Sequence, residues 1–294
     1  MKVMKRLAKL LLVAVVVVVL LGVVVFVRSR QQPDWYAQIR SYDMGEAAAA
    51  AAQQADEKFQ STWAWISARQ AAEARARQGD TRPPLTPVPA PVFSVTFNER
   101  ELNAAFEKWK GELGWEQTYA AYVSNPVIAI RDGRLILAGT VQQFDRVVSF
   151  HFRPALDKQA GRLSIELESV MAGRLPMPQA AFDRYRQQLV EKVAENLPEY
   201  RADAKIRPDG SVNENAQKAM IGQLLLAVLQ RKTVEPVLLL EGNRPQPQQQ
   251  RLVPVRMVDF VLKDDAITFS LEMMTAAERQ AWLERLRGGG GARE

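Results

Sequence analysis

The 294-residue chain contains no cysteine and a single histidine. Without cysteine there is no disulfide framework, no thiol nucleophile and no thiolate metal site. No glycine-rich phosphate loop follows a strand pattern, and neither a G-x-S-x-G elbow nor an H-E-x-x-H pair occurs. The acidic residues Asp203, Asp209 and Glu214 do not fall at calcium-loop spacing. Asp264-Asp265 reads as a turn. His151 is placed mid-strand on a polar face, near Ser164, Glu166 and Glu168. A histidine and a carboxylate can form a general base with its orienter. A cross-strand surface pair on a wet sheet is the simpler reading. The expectation is therefore no enzyme, no cofactor and no metal.

What the chain does have is concentrated at its start. Lys2, Lys5, Arg6 and Lys9 precede an unbroken apolar run from Leu10 to Val27, closed by Arg28 and Arg30. Some 20 apolar residues suffice for a helix to cross a bilayer. A cleaved signal peptide has a shorter core and a small-residue cleavage site. Val-Arg-Ser-Arg-Gln-Gln-Pro is a poor site, so the run reads as an uncleaved single-pass anchor. Four preceding cations place the N-terminus in the cytoplasm and residues 31–294 outside it, in the cell envelope.

Charge follows the same division. The chain carries 39 Lys+Arg against 33 Asp+Glu. Residues 1–30 hold six cations and no acid, which leaves 33 against 33 for the remainder. The basic balance belongs to the anchor, and nothing general argues for nucleic acid as a partner.

Five regions are expected: 1–30, cytoplasmic tip and anchor; 31–81, a membrane-proximal segment and a long Ala-rich helix; 82–91, a linker; 92–287, a folded domain; 288–294, a disordered tail. Trp35 and Tyr36 suit either the headgroup level of a membrane or an ordinary linker. Residues 46–78, without Gly or Pro, form a helix. Its short apolar stripe, Phe59, Trp63 and Ile66, fits a stalk, a helix docked on the domain, or a contact with another envelope protein. Five prolines in residues 82–91 favour an extended spacer.

Within 92–287 the pattern predicts an α+β domain, mostly antiparallel hairpins wrapped on three or four helices. Asn98 with Glu101, and Thr275 with Glu278, mark helix starts. Asp132-Gly133 suits a type I′ hairpin turn, placing Ile130 opposite Leu135 and Ile128 opposite Leu137. Val148, Phe150 and Phe152 share one face of the next hairpin, with Leu163, Ile165 and Leu167. Val147, Ser149, His151, Ser164, Glu166 and Glu168 take the other, wet face. Val258, Phe260 and Leu262 face Ile267, Phe269 and Leu271 in a last hairpin. A helix over 179–196 carries Phe182, Tyr185, Leu189 and Val193, and residues 200–207 read as a short strand. The helix over 219–229 is apolar almost all round and reads as an enclosed core helix.

Apolar excess is the unusual feature. Val127, Ala129, Ile136 and Ala138 oppose the Ile/Leu face of the first hairpin, so both faces are apolar. A filled core explains most such positions. A curved sheet around a helix, with a groove for an acyl chain, explains the excess as well. The candidate apolar groove comprises Ile128, Ile130, Leu135, Leu137, Phe150 and Phe152.

The segment Val95-Thr-Phe-Asn98-Glu-Arg-Glu-Leu-Asn103-Ala-Ala-Phe106, the hairpins, Gly161-Arg-Leu-Ser-Ile165, and Gly173-Arg-Leu-Pro-Met-Pro178 before a helix carry a resemblance. Together they resemble the YpmS-like membrane-anchored extracytoplasmic proteins, which are similar to TULIP-like and LmeA-type lipid-binding domains. The likeness covers about 95–200. Its motifs mark fold positions, so no functional residue transfers. The resemblance implies a lipid- or partner-binding role at a membrane. The function expected is binding or shuttling of an apolar ligand, a lipid; the alternative is an anchored scaffold of the envelope with a fully packed core.

Overall fold

The computed structural model describes residues 28–41, 46–78, 88–112, 120, 123–143, 145–207, 210–241 and 252–288. The apolar run from Leu10 to Val27, most of the proline linker, the 243–251 loop and the tail beyond Gly288 lie outside them. Among the described residues no helix is long and apolar enough to cross a membrane.

The fold is α+β, with antiparallel strand pairing throughout. Its described residues form two sheets where one was expected. Sheet A has the order β1 (Val92–Asn98), β10 (Ala266–Met273), β9 (Leu252–Lys263), β8 (Val237–Glu241). Sheet B has the order β2 (Val123–Arg131), β3 (Arg134–Val141), β4 (Arg146–Asp157), β5 (Arg162–Ala172), β6 (Leu175–Pro176). The short β7 (Thr233–Val234) pairs with the start of β5. The Asp-Gly hairpin has the expected register, with Asp132 at φ 52° and Gly133 at φ 68°. In the last hairpin a bulge at Ser270/Leu271 moves Leu271 opposite Met257 rather than Val258.

A core between the sheets joins Val95 and Phe97, Val253, Val255 and Met257, and Ile267 and Leu271 of sheet A to Ile130 and Leu163 of sheet B. The sheets' alternating patterns supply its two walls. The outer face of sheet A is polar along its edge pair, where Ser94 meets Ser270 and Thr96 meets Thr268, each at 2.8 Å.

The described residues before β1 include two helices, α1 (Asp34–Ser41) and α2 (Glu46–Arg77). Both are docked on the domain. Ile66 is fully buried and Trp65 nearly so within the main core. Phe59 lies 4.7 Å from the Phe97 ring and Trp65 5.5 Å from the Phe93 ring, centroid to centroid. Ala51, Ala55 and Thr62 complete the buried stripe. The long helix is therefore part of the fold and does not stand off as a stalk. In packing terms the domain begins well before residue 92.

Helix α3 (Glu99–Glu112) follows β1, and α4 (Gln179–Ala202) pairs with α5 (Glu214–Gln230), Gly222 resting against Val193 and Leu197. Helix α6 (Ala276–Gly288) closes a second core through Trp282, Leu283 and Leu286. Helix α4 runs six residues past its expected end, through Pro198. Residues 200–207 are thus the last turn of a helix and an extended stretch with one bridge, Ile206 to Val212. Proline lacks an N–H and usually ends a helix. Here buried Leu197 and partly buried Tyr200 hold the last turn in the second core. Helix α5 is not enclosed: Ile221 and Leu225 are 44% and 46% exposed.

Candidate functional site

Sheet B is fixed at its β2 edge by the segment that follows β1. Four polar side chains in residues 98–103 have separate tasks there. Asn98 and Glu101 form the reciprocal cap of α3: the Glu101 N–H donates to Asn98 Oδ1 at 2.8 Å, and the Asn98 N–H donates to Glu101 Oε2 at 2.9 Å. Glu101 also receives Lys58 of α2 at 2.6 Å. Asn103 pairs with the open edge of β2, donating to the Ile128 carbonyl at 2.7 Å and accepting from the Ile128 N–H at 2.8 Å. Glu99 accepts the Ile130 N–H at 2.9 Å and holds Arg131 at 2.5 and 2.9 Å. Two side chains thus act as a missing strand on an edge that would otherwise be unpaired.

The six groove candidates come together as the hairpins predict. Ile130, Leu135 and Phe152 form one cross-strand row, and Ile128, Leu137 and Phe150 the next. Their environments differ. Ile130 is fully buried in the main core and lines no accessible groove, while Leu135 is half-buried and packs against that core. Ile128 and Phe152 are half-buried. Leu137 and Phe150 are 41% and 39% exposed, directly opposite each other. The accessible apolar surface is the second row, with Phe152 at its inner margin.

The opposite face of sheet B explains the doubled apolar pattern of the first hairpin. Val127, Ala129, Ile136, Ala138 and Val147 pack under α1, chiefly against Tyr36 and Ile39. Tyr36 is 2% exposed, and its hydroxyl donates to the Asn125 carbonyl at 2.8 Å. It is a core residue and not a headgroup anchor. Val147 and Ser149, expected on a wet face, are buried there too. The signal for this cover is the pair Tyr36 and Ile39 one helical turn apart, which the linker reading of 31–45 passes over.

His151 sits where this cover ends. A bulge between His151 and Phe152 sets it opposite Ser169. Its Nε2 and the Ser149 hydroxyl lie 3.0 Å apart. Burial, then the Arg134 charge, lower its pKa, partly offset by Glu168, so the ring is neutral at pH 7. Glu168 is bound by Arg134 and Arg153. Ser149 is 1% exposed, which leaves its hydroxyl no path to a substrate. Serine, histidine and carboxylate are near one another, but the arrangement is a half-buried polar tie beside a carboxylate held by two arginines. Among the described residues no group of three His, Cys, Asp or Glu side chains forms a metal site.

An apolar cavity of about 90 Å³ lies between α5, α6 and β8, lined by Leu163, Met220, Leu224, Val234, Trp282 and Leu286. That is well below the roughly 300 Å³ at which ligand pockets begin. The accessible apolar surface of sheet B is an open row and not an enclosed chamber. The stripe of α2 is used inside the fold, so the helix turns its polar side outward. Comparison with family models, curated proteins and solved structures finds no match.

Proposed function

We propose that this chain is a single-pass, membrane-anchored, non-enzymatic protein whose α+β domain lies outside the cytoplasm and binds the acyl chain of a lipid. The observation that carries the reading is the exposed cross-strand pair Leu137 and Phe150, continuous with half-buried Ile128 and Phe152 on one sheet face. Single exposed apolar residues are ordinary. A row of them on an ordered sheet, flanked by a dry core, is a surface that gains by being covered. The open form of the row suits a chain laid along it, with part of its length still in lipid. The apolar run from Leu10 to Val27 and the resemblance to YpmS-like and TULIP-like proteins support the same reading.

The test is purification of residues 28–294, the span that holds both docked helices, without detergent. Native mass spectrometry and lipid extraction should show co-purifying lipid. A lipid-free protein that also takes up no fluorescent acyl probe would contradict the proposal.

A further inference from the structure

The chain enters the described structure at Arg28, directly after the apolar run, and is fastened at once. The Arg28 carbonyl accepts from the Arg174 N–H at 3.1 Å. Ser29 is 4% exposed. Gly173 stands at φ 58°, and a Cβ there would lie 2.4 Å from the Ser29 carbonyl oxygen. Only glycine combines that dihedral with that approach. The Arg174 side chain reaches the Gln32 carbonyl at 3.3 Å and pairs with Asp34. Residues 28–34 are thus a strap bound to the turn after β5.

That turn marks one end of sheet B. The Gly173 N–H donates to the Val147 carbonyl at 2.7 Å, near the start of β4. Phe150 is three residues further along β4, roughly 10 Å at ~3.3 Å per residue, and Leu137 is its partner. The row of fully buried Ile130 and half-buried Leu135 lies two residues deeper. The exposed row is therefore on the strap's side of the sheet, and the more buried row is on the far side. Ser29 is two residues from Val27, within about 8 Å along the chain.

We infer that the domain stands with the strap end of sheet B against its own bilayer, so that the Leu137–Phe150 row takes an acyl chain from the leaflet beneath it. This rests on the lipid-binding reading and adds the source of the lipid: the adjacent leaflet, and not a membrane or carrier across the envelope. The occupant follows from where the apolar run ends. The strap brings that point to the end of the sheet at which the Leu137–Phe150 row is uncovered.

The absence of cysteine makes the test direct. In the full chain, Gln143→Cys labels the β3–β4 turn at the strap end, and Gln159→Cys labels the β4–β5 turn at the other end. Both positions are exposed and neither belongs to the row. The 12 residues of β4 separate them by roughly 40 Å. Each variant is labelled with a polarity-sensitive fluorophore and reconstituted in phosphatidylglycerol/phosphatidylcholine nanodiscs containing brominated lipid. The expected result is at least threefold stronger quenching at 143 than at 159. Gly173→Val, and separately Arg174→Ala with Asp34→Ala, should reduce that difference while the circular dichroism spectrum is kept. Equal quenching at the two positions, or stronger quenching at 159, overturns the orientation. Acyl-probe uptake by residues 28–294 is measured in parallel. Uptake without the quenching difference overturns the orientation alone; the difference without uptake upholds the orientation and overturns lipid binding.

Discussion

Asn103 spans the gap between two elements with one amide. It satisfies both backbone groups of Ile128 and also donates to the Glu99 carbonyl at 2.8 Å. Replacing it by alanine leaves an N–H and a carbonyl of β2 without these partners, at about 1–3 kcal/mol for each group that stays dry. Asn103→Ala should therefore lower the unfolding free energy by about 2–3 kcal/mol in urea titration, with the m-value unchanged. A loss below ~0.5 kcal/mol would show that water replaces the amide. Glu278 gives a second expectation. The Thr275 N–H, then Arg256, hold its carboxyl at about 2, below the ordinary 4.5. A depressed folded pKa stabilises above the unfolded pKa, and that stability is lost as pH falls through the folded one. Glu278→Gln should be less stable than the parent at pH 7, and the gap should close between about pH 4.5 and about 2. A gap independent of pH would contradict this. The caps at Asn98 and Thr275 are legible in sequence because their partners lie three residues away. The tasks of Glu99 and Asn103 are not, because Arg131 and Ile128 lie 32 and 25 residues away.

At the scale of elements, α2 decides where the domain begins. Ile66 is 0% exposed and sits in the same core as Val255 and Ile130. Ile66→Ala should cost about 2–4 kcal/mol. A fragment of residues 92–287 should lose cooperative unfolding, whereas residues 28–294 should keep it. A fragment as stable as the longer form would make α2 an accessory. Composition alone makes 46–78 a helix, but its Ala-rich start hides which face is buried, since Ala51 and Ala55 look like their neighbours. The Phe59, Trp63 and Ile66 stripe points to the right side and cannot say what covers it. The same ambiguity misplaces Tyr36, and it makes the all-apolar girth of α5 read as enclosure. Periodicity reports that a surface is apolar; the partner is a property of the tertiary fold. The run of α4 past Pro198 is likewise decided by packing and not by local propensity.

For the whole molecule, hairpin pairing is readable because turn chemistry fixes register locally. The division into two sheets is not, because it depends on β1 returning to β10 across some 170 residues. Alternation finds the candidate row by placing six residues on one face. It does not tell that Ile130 is sealed in the core with sheet A while Leu137 and Phe150 meet solvent. The central claim concerns that exposed pair. Leu137 and Phe150 are 41% and 39% exposed, so polar replacement should shift stability by no more than ~0.5 kcal/mol. The direct measurement is fluorescent acyl-probe binding to residues 28–294 and to the Leu137→Gln/Phe150→Gln variant, with thermal midpoints recorded for both. The account predicts about tenfold weaker binding, some 1.4 kcal/mol, at an unchanged midpoint. Equal probe affinity in the two proteins would contradict it.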